Sequence, residues 1–248
     1  MSFKEREEAI LEYLREHKEA SVSELCAILF VSEPTMRRDL YTLNRAGKLL
    51  RTHGGAAYKG ARGENLPQAF REREQSSAKV IIGRRALSLV KDGDTVMVDA
   101  SSTAAELLKL IGTRRDIVVV TNNAHAPALL SETAVKTFVS GGEVAQGTYA
   151  FVGGYAEDFM RSFHADICFF SVRRLSEDGD LSDNAIAENA VRRIMLARAK
   201  KKVLLLDSKK LGQPCMNTLC TLGEIDAVVS EIDISDLFPA YKDKFLPF

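Results

Sequence analysis

The sequence predicts a two-domain α/β chain: an N-terminal winged helix-turn-helix domain, then a Rossmann-like α/β domain. Three observations carry this. The first sixty or so residues read helix, helix, turn, helix, hairpin, with arginines gathered after the turn. Residues 60–78, "GARGENLPQAFREREQSSA", are polar and carry Gly and Pro, the composition of a linker. Beyond them, six short apolar runs rich in β-branched residues alternate with helical stretches.

The elements follow in order. In "KEREEAILEYLREH" (4–17), Ile10, Leu11 and Leu14 stand at helical spacing among charges, as in a surface helix with one buried stripe. In "SVSELCAIL", Ser21 or Ser23 caps a second helix that turns Leu25, Ile28 and Leu29 inward. A third helix opens at Glu33-Pro34, with Ser32 in the cap position, and stops near Ala46-Gly47. Met36, Leu40 and Leu43 repeat at three- and four-residue steps and face the core. Thr35, Arg37 and Arg38 are left on other faces near its N-terminal end. That end of such a helix enters the major groove, where an arginine fork matches guanine. "KLLRTHGGAAY" then reads as a hairpin turning at Gly54-Gly55, with Arg51 and His53 on the wing. The expected DNA contacts are Ser32, Thr35, Arg37, Arg38, Arg51 and His53.

Charge supports this assignment. The whole chain is neutral, with 34 basic and 34 acidic residues, so it does not coat nucleic acid along its length. Between Val31 and Gly60, however, Arg37, Arg38, Arg45, Lys48, Arg51 and Lys59 face only Glu33 and Asp39, a local net of +4. Asp39 is expected to pair with a neighbouring arginine.

The strands of the second domain are expected at 95–99, 117–121, 136–140, 166–171, 203–207 and 226–230. The helices between them are "AKVIIGRRALSLV", "TAAELLKLI", "APALLSE" and "AENAVRRIMLARAKK". In such sheets ligands sit beyond the carboxyl ends of the strands. The residues there are "DASST", "TNN", "SGGE", "SVRR" and "DSKK", small, polar or basic throughout. Ser101-Ser102-Thr103 opens a helix, where free N–H groups and the dipole favour an anion, best a phosphate. A lysine after "VLLLD", Lys209 or Lys210, supplies the counter-charge. Gly141-Gly142 reads equally as a turn, Asn122-Asn123 as helix caps and Ser102 as a cap.

The four cysteines are scattered, and no Cys/His group has metal spacing. The N-terminus is charged, unlike a signal peptide, and no apolar run approaches the ~20 residues of a membrane span. A cytoplasmic protein with reduced thiols, no metal, no cofactor and no membrane partner is expected.

With these motifs in place, the chain resembles the DeoR family of bacterial transcription regulators. "VSEPTMRRDLYTLNRAGKLLRTHGGA" matches the family's N-terminal signature. "AKVIIGRRALSLVKDGDTVMVDASST", "VVVTNN", "SGG", "GGYAEDFM", "HADICFF", "AENAVRRIM" and "LLLDSKKLG" match its sensor domain. The resemblance implies a sensor fold similar to ribose-5-phosphate isomerase and the CoA transferases. It implies a repressor, not an enzyme, released from a double-stranded DNA operator by a phosphorylated sugar or polyol. It also implies a homo-oligomer, dimer or tetramer. The phosphate loop falls on Ser101-Ser102-Thr103, the family lysine on Lys210 and a common glutamate on Glu188. The expected effector set is Asp99, Ser101, Ser102, Thr103, Asn122, Gly142, Arg173, Glu188 and Lys210. The domains are expected at 1–58 and 78–248, with a linker at 59–77.

Two departures from the family bear on the effector. Ser101 stands where the family usually has glycine, which lets a backbone approach phosphate. "SVRRLSEDGDLSDN" replaces a Gly-containing loop, so Arg173 and Arg174 either add an anion contact or fill the pocket. Two other readings follow. In one, the second domain only oligomerises and senses nothing. In the other, the chain is a sugar-phosphate isomerase with Asp99, Asp207 or Glu188 as its base.

Overall fold

The computed structural model describes residues 2–46, 48–52, 54–58, 68 and 75–248, and the chain divides into two units, Met1–Leu66 and Pro67–Phe248. The first holds helices α1 (Phe3–His17), α2 (Val22–Leu29) and α3 (Glu33–Arg45), and strands β1 (Glu19–Ser21), β2 (Leu49–Arg51) and β3 (Gly55–Tyr58). Capping boxes start two of the helices: Ser2 with Glu5 on α1, and Ser21, rather than Ser23, with Glu24 on α2. Starting α2 at Val22 sets its phase. The buried stripe runs through Val22 and Leu25, with Cys26 and Leu29 partly buried, and Ile28 falls off it at 42% exposed. Ile28 therefore does not face inward as expected. On α3, Met36, Leu40 and Leu43 are buried as the spacing predicts.

The expected hairpin is one part of a three-stranded antiparallel sheet, ordered β1-β3-β2. Gly55 lies within β3, opposite Ser21, and not in the turn. A Cβ at Gly55 would come within 1.9 Å of the Ala20 carbonyl oxygen, so only glycine lets β3 lie against β1.

The second unit is built on a six-stranded parallel sheet, β14-β12-β9-β4-β5-β6. Its strands are β4 (Thr95–Val98), β5 (Val118–Thr121), β6 (Lys136–Val139), β9 (Ala165–Phe170), β12 (Ala199–Leu205) and β14 (Ala227–Val229). All six expected strands are present. Both faces are apolar because both are covered. Val96, Val98, Ile167 and Phe169 pack against α4 (Ser76–Leu87), α5 (Ser102–Ile111) and α6 (Ala126–Leu130). Met97, Cys168 and Phe170 pack on the other side with α7 (Gly154–Arg161) and α8 (Ile186–Ala197).

The helix expected through Lys201 ends at Ala197, and Ala199–Lys202 belong to β12. Parallel pairing with β9, from Ala199 opposite Ala165 to Leu204 opposite Phe170, overrides the helical look of "ARAKK". Two small sheets were not anticipated: the pair β7 (Glu143–Val144) and β8 (Phe151–Val152), and β10 (Arg174–Leu175), β11 (Asp180–Asp183) and β13 (Asn217–Thr221). Most of the expected linker lies outside the described residues; its last two, Ser76 and Ser77, open α4. Among the described residues, no helix is long and apolar enough to cross a membrane.

Candidate DNA-reading helix and effector site

α3 follows a short turn after α2, and its N-terminal end presents the expected side chains. Ser32 is exposed in extended conformation, and its Oγ lies 3.0 Å from Thr35 Oγ1. The two hydroxyls therefore hold each other, and Ser32 makes no side-chain cap bond. Arg37 and Arg38 are both exposed. Arg37 Nη2 donates to Glu33 Oε2 at 3.1 Å, one turn back. No hydrogen bond or ion pair among the described residues holds the Arg38 guanidinium. Arg51 is exposed on β2, and its main-chain N–H donates to Asn44 Oδ1 at 3.1 Å, tying the strand to the end of α3. His53 lies outside the described residues.

Asp39 corrects the expectation made for it. It is buried, and its Oδ2 accepts from Arg6 Nε of α1 at 2.6 Å. It fixes α3 against α1 and pairs with no arginine of its own helix. Lys48 is likewise paired with Glu7 of α1. Arg38, Arg45 and Arg51 remain as the basic surface, with Arg37 partly neutralised.

In the second unit, the sheet order reverses between β4 and β9, the topological switch point of an open α/β sheet. Beyond these two strand ends lie Asp99, the turn into α5 and Ser171. Ser101 is the N-cap of α5: its Oγ accepts the Ala104 N–H at 3.2 Å. Ser102 and Thr103 form the first helical positions, so their N–H groups have no acceptor within the helix. Lys210 arrives from a 3-10 turn (Ser208–Lys210) after β12. Its Nζ donates to Thr103 Oγ1 at 3.2 Å and Ser171 Oγ at 2.8 Å, and lies 3.5 Å from Asp207 Oδ2. An ammonium, two hydroxyls and a helix N-terminus thus meet at one point, a donor set suited to a phosphate.

Behind this loop lies a group that sequence reasoning missed. Arg192 of α8 is buried and meets three carboxylates. Nε donates to Asp99 Oδ2 at 2.9 Å, Nη1 to Asp183 Oδ2 at 3.2 Å and Nη2 to Glu188 Oε2 at 2.9 Å. Burial works against its charge, but the pull of Asp99, Glu188 and Asp183 outweighs this and raises its pKa. Burial likewise works against ionised Asp183. Arg192, the Ala185 N–H and Arg173 prevail and hold its pKa below the usual aspartate value. Asp99 passes this rigidity forward. Its Oδ1 accepts the Ser101 N–H at 3.1 Å and its Oδ2 the Ser171 N–H at 3.3 Å. The signal for Arg192 was an arginine four residues after Glu188, one position beyond Val191 on a buried helix face.

Asp99, Ser101, Ser102, Thr103 and Lys210 are thus brought together. Glu188 joins them through Arg192, and Arg173 lies beside Asp183, with Nε 3.9 Å from Oδ1. Arg174 Nη1 donates to the Lys209 carbonyl at 3.0 Å. Asn122 ends the neighbouring strand β5, and its Nδ2 donates to the Phe151 carbonyl at 3.0 Å. Its Oδ1, and Nδ2 of Asn123, are buried without a hydrogen-bond partner. Gly142 follows the next strand, β6. At φ +110°, with Val152 O 2.9 Å from where a Cβ would be, it serves backbone geometry beside β8. A surface groove of about 470 Å³, lined by Leu175, Glu177, Leu211, Gly212, Leu237 and Phe238, includes none of these residues. Among the described residues, no group of three or more His, Cys, Asp or Glu could hold a metal ion.

Comparison with known proteins bears on both units. The DeoR-like helix-turn-helix domain model matches residues 6–61, and the DeoR C-terminal sensor domain model matches residues 74–231. The chain belongs to the DeoR family. Similar relatives of this DeoR-family regulator include the transcriptional regulator GolR of Listeria innocua, 30% identical over 98% of this chain and 96% of the relative. The transcriptional repressor GlcR of Bacillus subtilis is 31% identical over 92% of this chain and 88% of the relative. Among solved structures, ribose 5-phosphate isomerase A of Methanocaldococcus jannaschii matches 55% of each chain, at 19% identity and TM-score 0.43. The relatives are named as regulators, and this DeoR-family protein is a DNA-binding transcriptional regulator, not an enzyme. Asp99 and Glu188, two of the carboxylates weighed as bases, are ion-paired with Arg192.

Proposed function

We propose that this regulator represses genes of sugar or polyol metabolism in the cytoplasm and leaves its operator when a phosphorylated sugar or polyol binds the second unit. One observation carries the reading: Lys210 Nζ bridges Thr103 and Ser171 at the N-terminus of α5, at the switch point of the sheet. The phosphate takes over these donors, together with the N–H groups of Ser102 and Thr103. Asn122 Oδ1 and Asn123 Nδ2, one acceptor and one donor, suit a sugar hydroxyl, which both gives and accepts a hydrogen bond. Residues 1–58 read DNA: Thr35, Arg37 and Arg38 meet base edges, and Ser32, Arg51 and His53 meet backbone. The protein acts as a dimer or tetramer on repeated half-sites, and the effector favours one arrangement of the DNA-binding units over another.

A second reading, an effector-blind second unit, draws on one observation. Ser101, Ser102 and Thr103 are at most 5% exposed, and Lys210 is satisfied by its own chain. Thermal unfolding followed by dye fluorescence separates the two, using phosphorylated sugars and polyols beside their unphosphorylated parents. The effector reading expects one phosphorylated compound to raise Tm by an amount that grows with its concentration over Kd, and Lys210→Ala to abolish the shift. No shift across the panel favours the blind reading and leaves DNA binding untouched.

A further inference from the structure

We propose that Gln68 is the positioning residue through which the effector loop is coupled to the DNA-binding unit. The inference rests on the effector reading of Ser101–Thr103. Gln68 belongs to the second unit and is buried at 2% exposed. Its main-chain N–H donates to the Gly147 carbonyl at 2.8 Å. Its side-chain amide is used at both ends: Nε2 donates to the Ala100 carbonyl at 2.8 Å, and Oε1 accepts the Tyr149 N–H at 3.1 Å.

The two walls it touches differ in kind. Gly147 and Tyr149 lie in the connection between β7 and β8, which is fastened to the end of β5. Ala124 N–H donates to the Tyr149 carbonyl, and Phe151 N–H to the Asn122 carbonyl, both at 2.8 Å. The His125 ring stacks on Tyr149, with centroids 3.4 Å apart. The other wall is Ala100, the residue between Asp99 and Ser101. Arg192 and Asp99 hold that turn from within, and Gln68 holds its carbonyl from the far side. A phosphate drawn onto the Ser102 and Thr103 N–H groups moves this turn. The Nε2–carbonyl bond weakens steeply once its length and angle change.

Connectivity supplies the other half. Gln68 is ten steps along the chain from Tyr58, the last residue of β3. With Gln68 pinned, that stretch reaches at most about 36 Å. With the pin released, that limit no longer applies. A longer tether lowers the effective concentration of one DNA-binding unit at its half-site when its partner is bound. The pinned form is the DNA-binding form.

The test uses the full chain and a duplex enriched from a random library by the wild-type protein. Gln68→Met keeps the length and removes both amide bonds. It is expected to weaken duplex binding at least about fivefold, the lower edge of allosteric coupling. The salt dependence should stay as in wild type, because no DNA contact has changed. Gln68→Glu keeps the acceptor for Tyr149 but, when ionised, cannot donate to Ala100. Its defect relative to wild type at pH 8 should shrink at pH 5.5, where a buried carboxyl regains its proton and can donate. A merely structural role would not give that pH-dependent rescue. Wild-type affinity in both variants, each melting cooperatively, overturns the proposal; if Gln68→Met does not fold, the pH comparison on Gln68→Glu decides. Failure of the effector reading is a separate result, since it would show as no thermal shift in wild type.

Discussion

Arg192 shows what one buried side chain does in this protein. It pairs with three carboxylates, one just past β4, one in β11 and one in α8, and through Asp99 it holds the turn that presents Ser102 and Thr103. Arg192→Met leaves those carboxylates buried without their cation. It should cost about 3–5 kcal/mol of stability, measured by urea unfolding at pH 7. The pH dependence has a definite sign. Asp183 has a lower pKa folded than unfolded, so its contribution is present above the unfolded value, near ~3.9, and is lost as pH falls through the folded one. The stability gap between wild type and Arg192→Met should therefore narrow below about pH 4. A gap that stays constant down to acid unfolding would show that the pair carries no electrostatic stabilisation.

At the scale of elements, α3 is divided lengthwise. One face is core, through Met36, Leu40 and Leu43, and Asp39 fastens it to α1 by the ion pair with Arg6. The other face carries two adjacent arginines in different states. Arg37 is shared with Glu33, and Arg38 is held by no described partner. Arg38→Ala should weaken operator binding by about 1–3 kcal/mol and flatten the preference at one base position. Arg37→Ala should cost less, since that guanidinium already has a partner to give up. Binding measured against a panel of single-base operator variants checks both. Equal losses at every base would move Arg38 from base reading to phosphate contact.

For the whole molecule, a net charge of zero conceals two units with different work. The first has a basic face, and the second buries Arg192 among Asp99, Asp183 and Glu188. Operator affinity should therefore fall steeply with salt, on the order of tenfold or more between 50 and 200 mM, despite the neutral chain. Fluorescence anisotropy over a salt series measures the slope. A flat dependence would mean that Arg38, Arg45 and Arg51 do not meet phosphates. Linkage adds a further constraint. The factor by which an effector weakens operator binding must equal the factor by which operator weakens effector binding.

Much of this was legible in the residues. The six parallel strands, the three helices and the α5 loop follow from apolar periodicity, caps and strand-end composition, which are local signals. The family signature adds Lys210. What stayed hidden was what depends on distant partners. Asp39 looked like a partner for its neighbouring arginines, but packing of α3 on α1 gave it Arg6. Gly55 looked like a turn glycine, but the approach of β1 made it a strand residue. "ARAKK" looked helical until β9 paired with it. Arg192 lay within the family match "AENAVRRIM" and Gln68 within the expected linker, yet neither had a role assigned, because a buried arginine or glutamine is defined by the carboxylates and carbonyls that surround it. Periodicity along a chain records which face of an element is dry. Which polar group meets which across tens of residues is decided only when the elements pack.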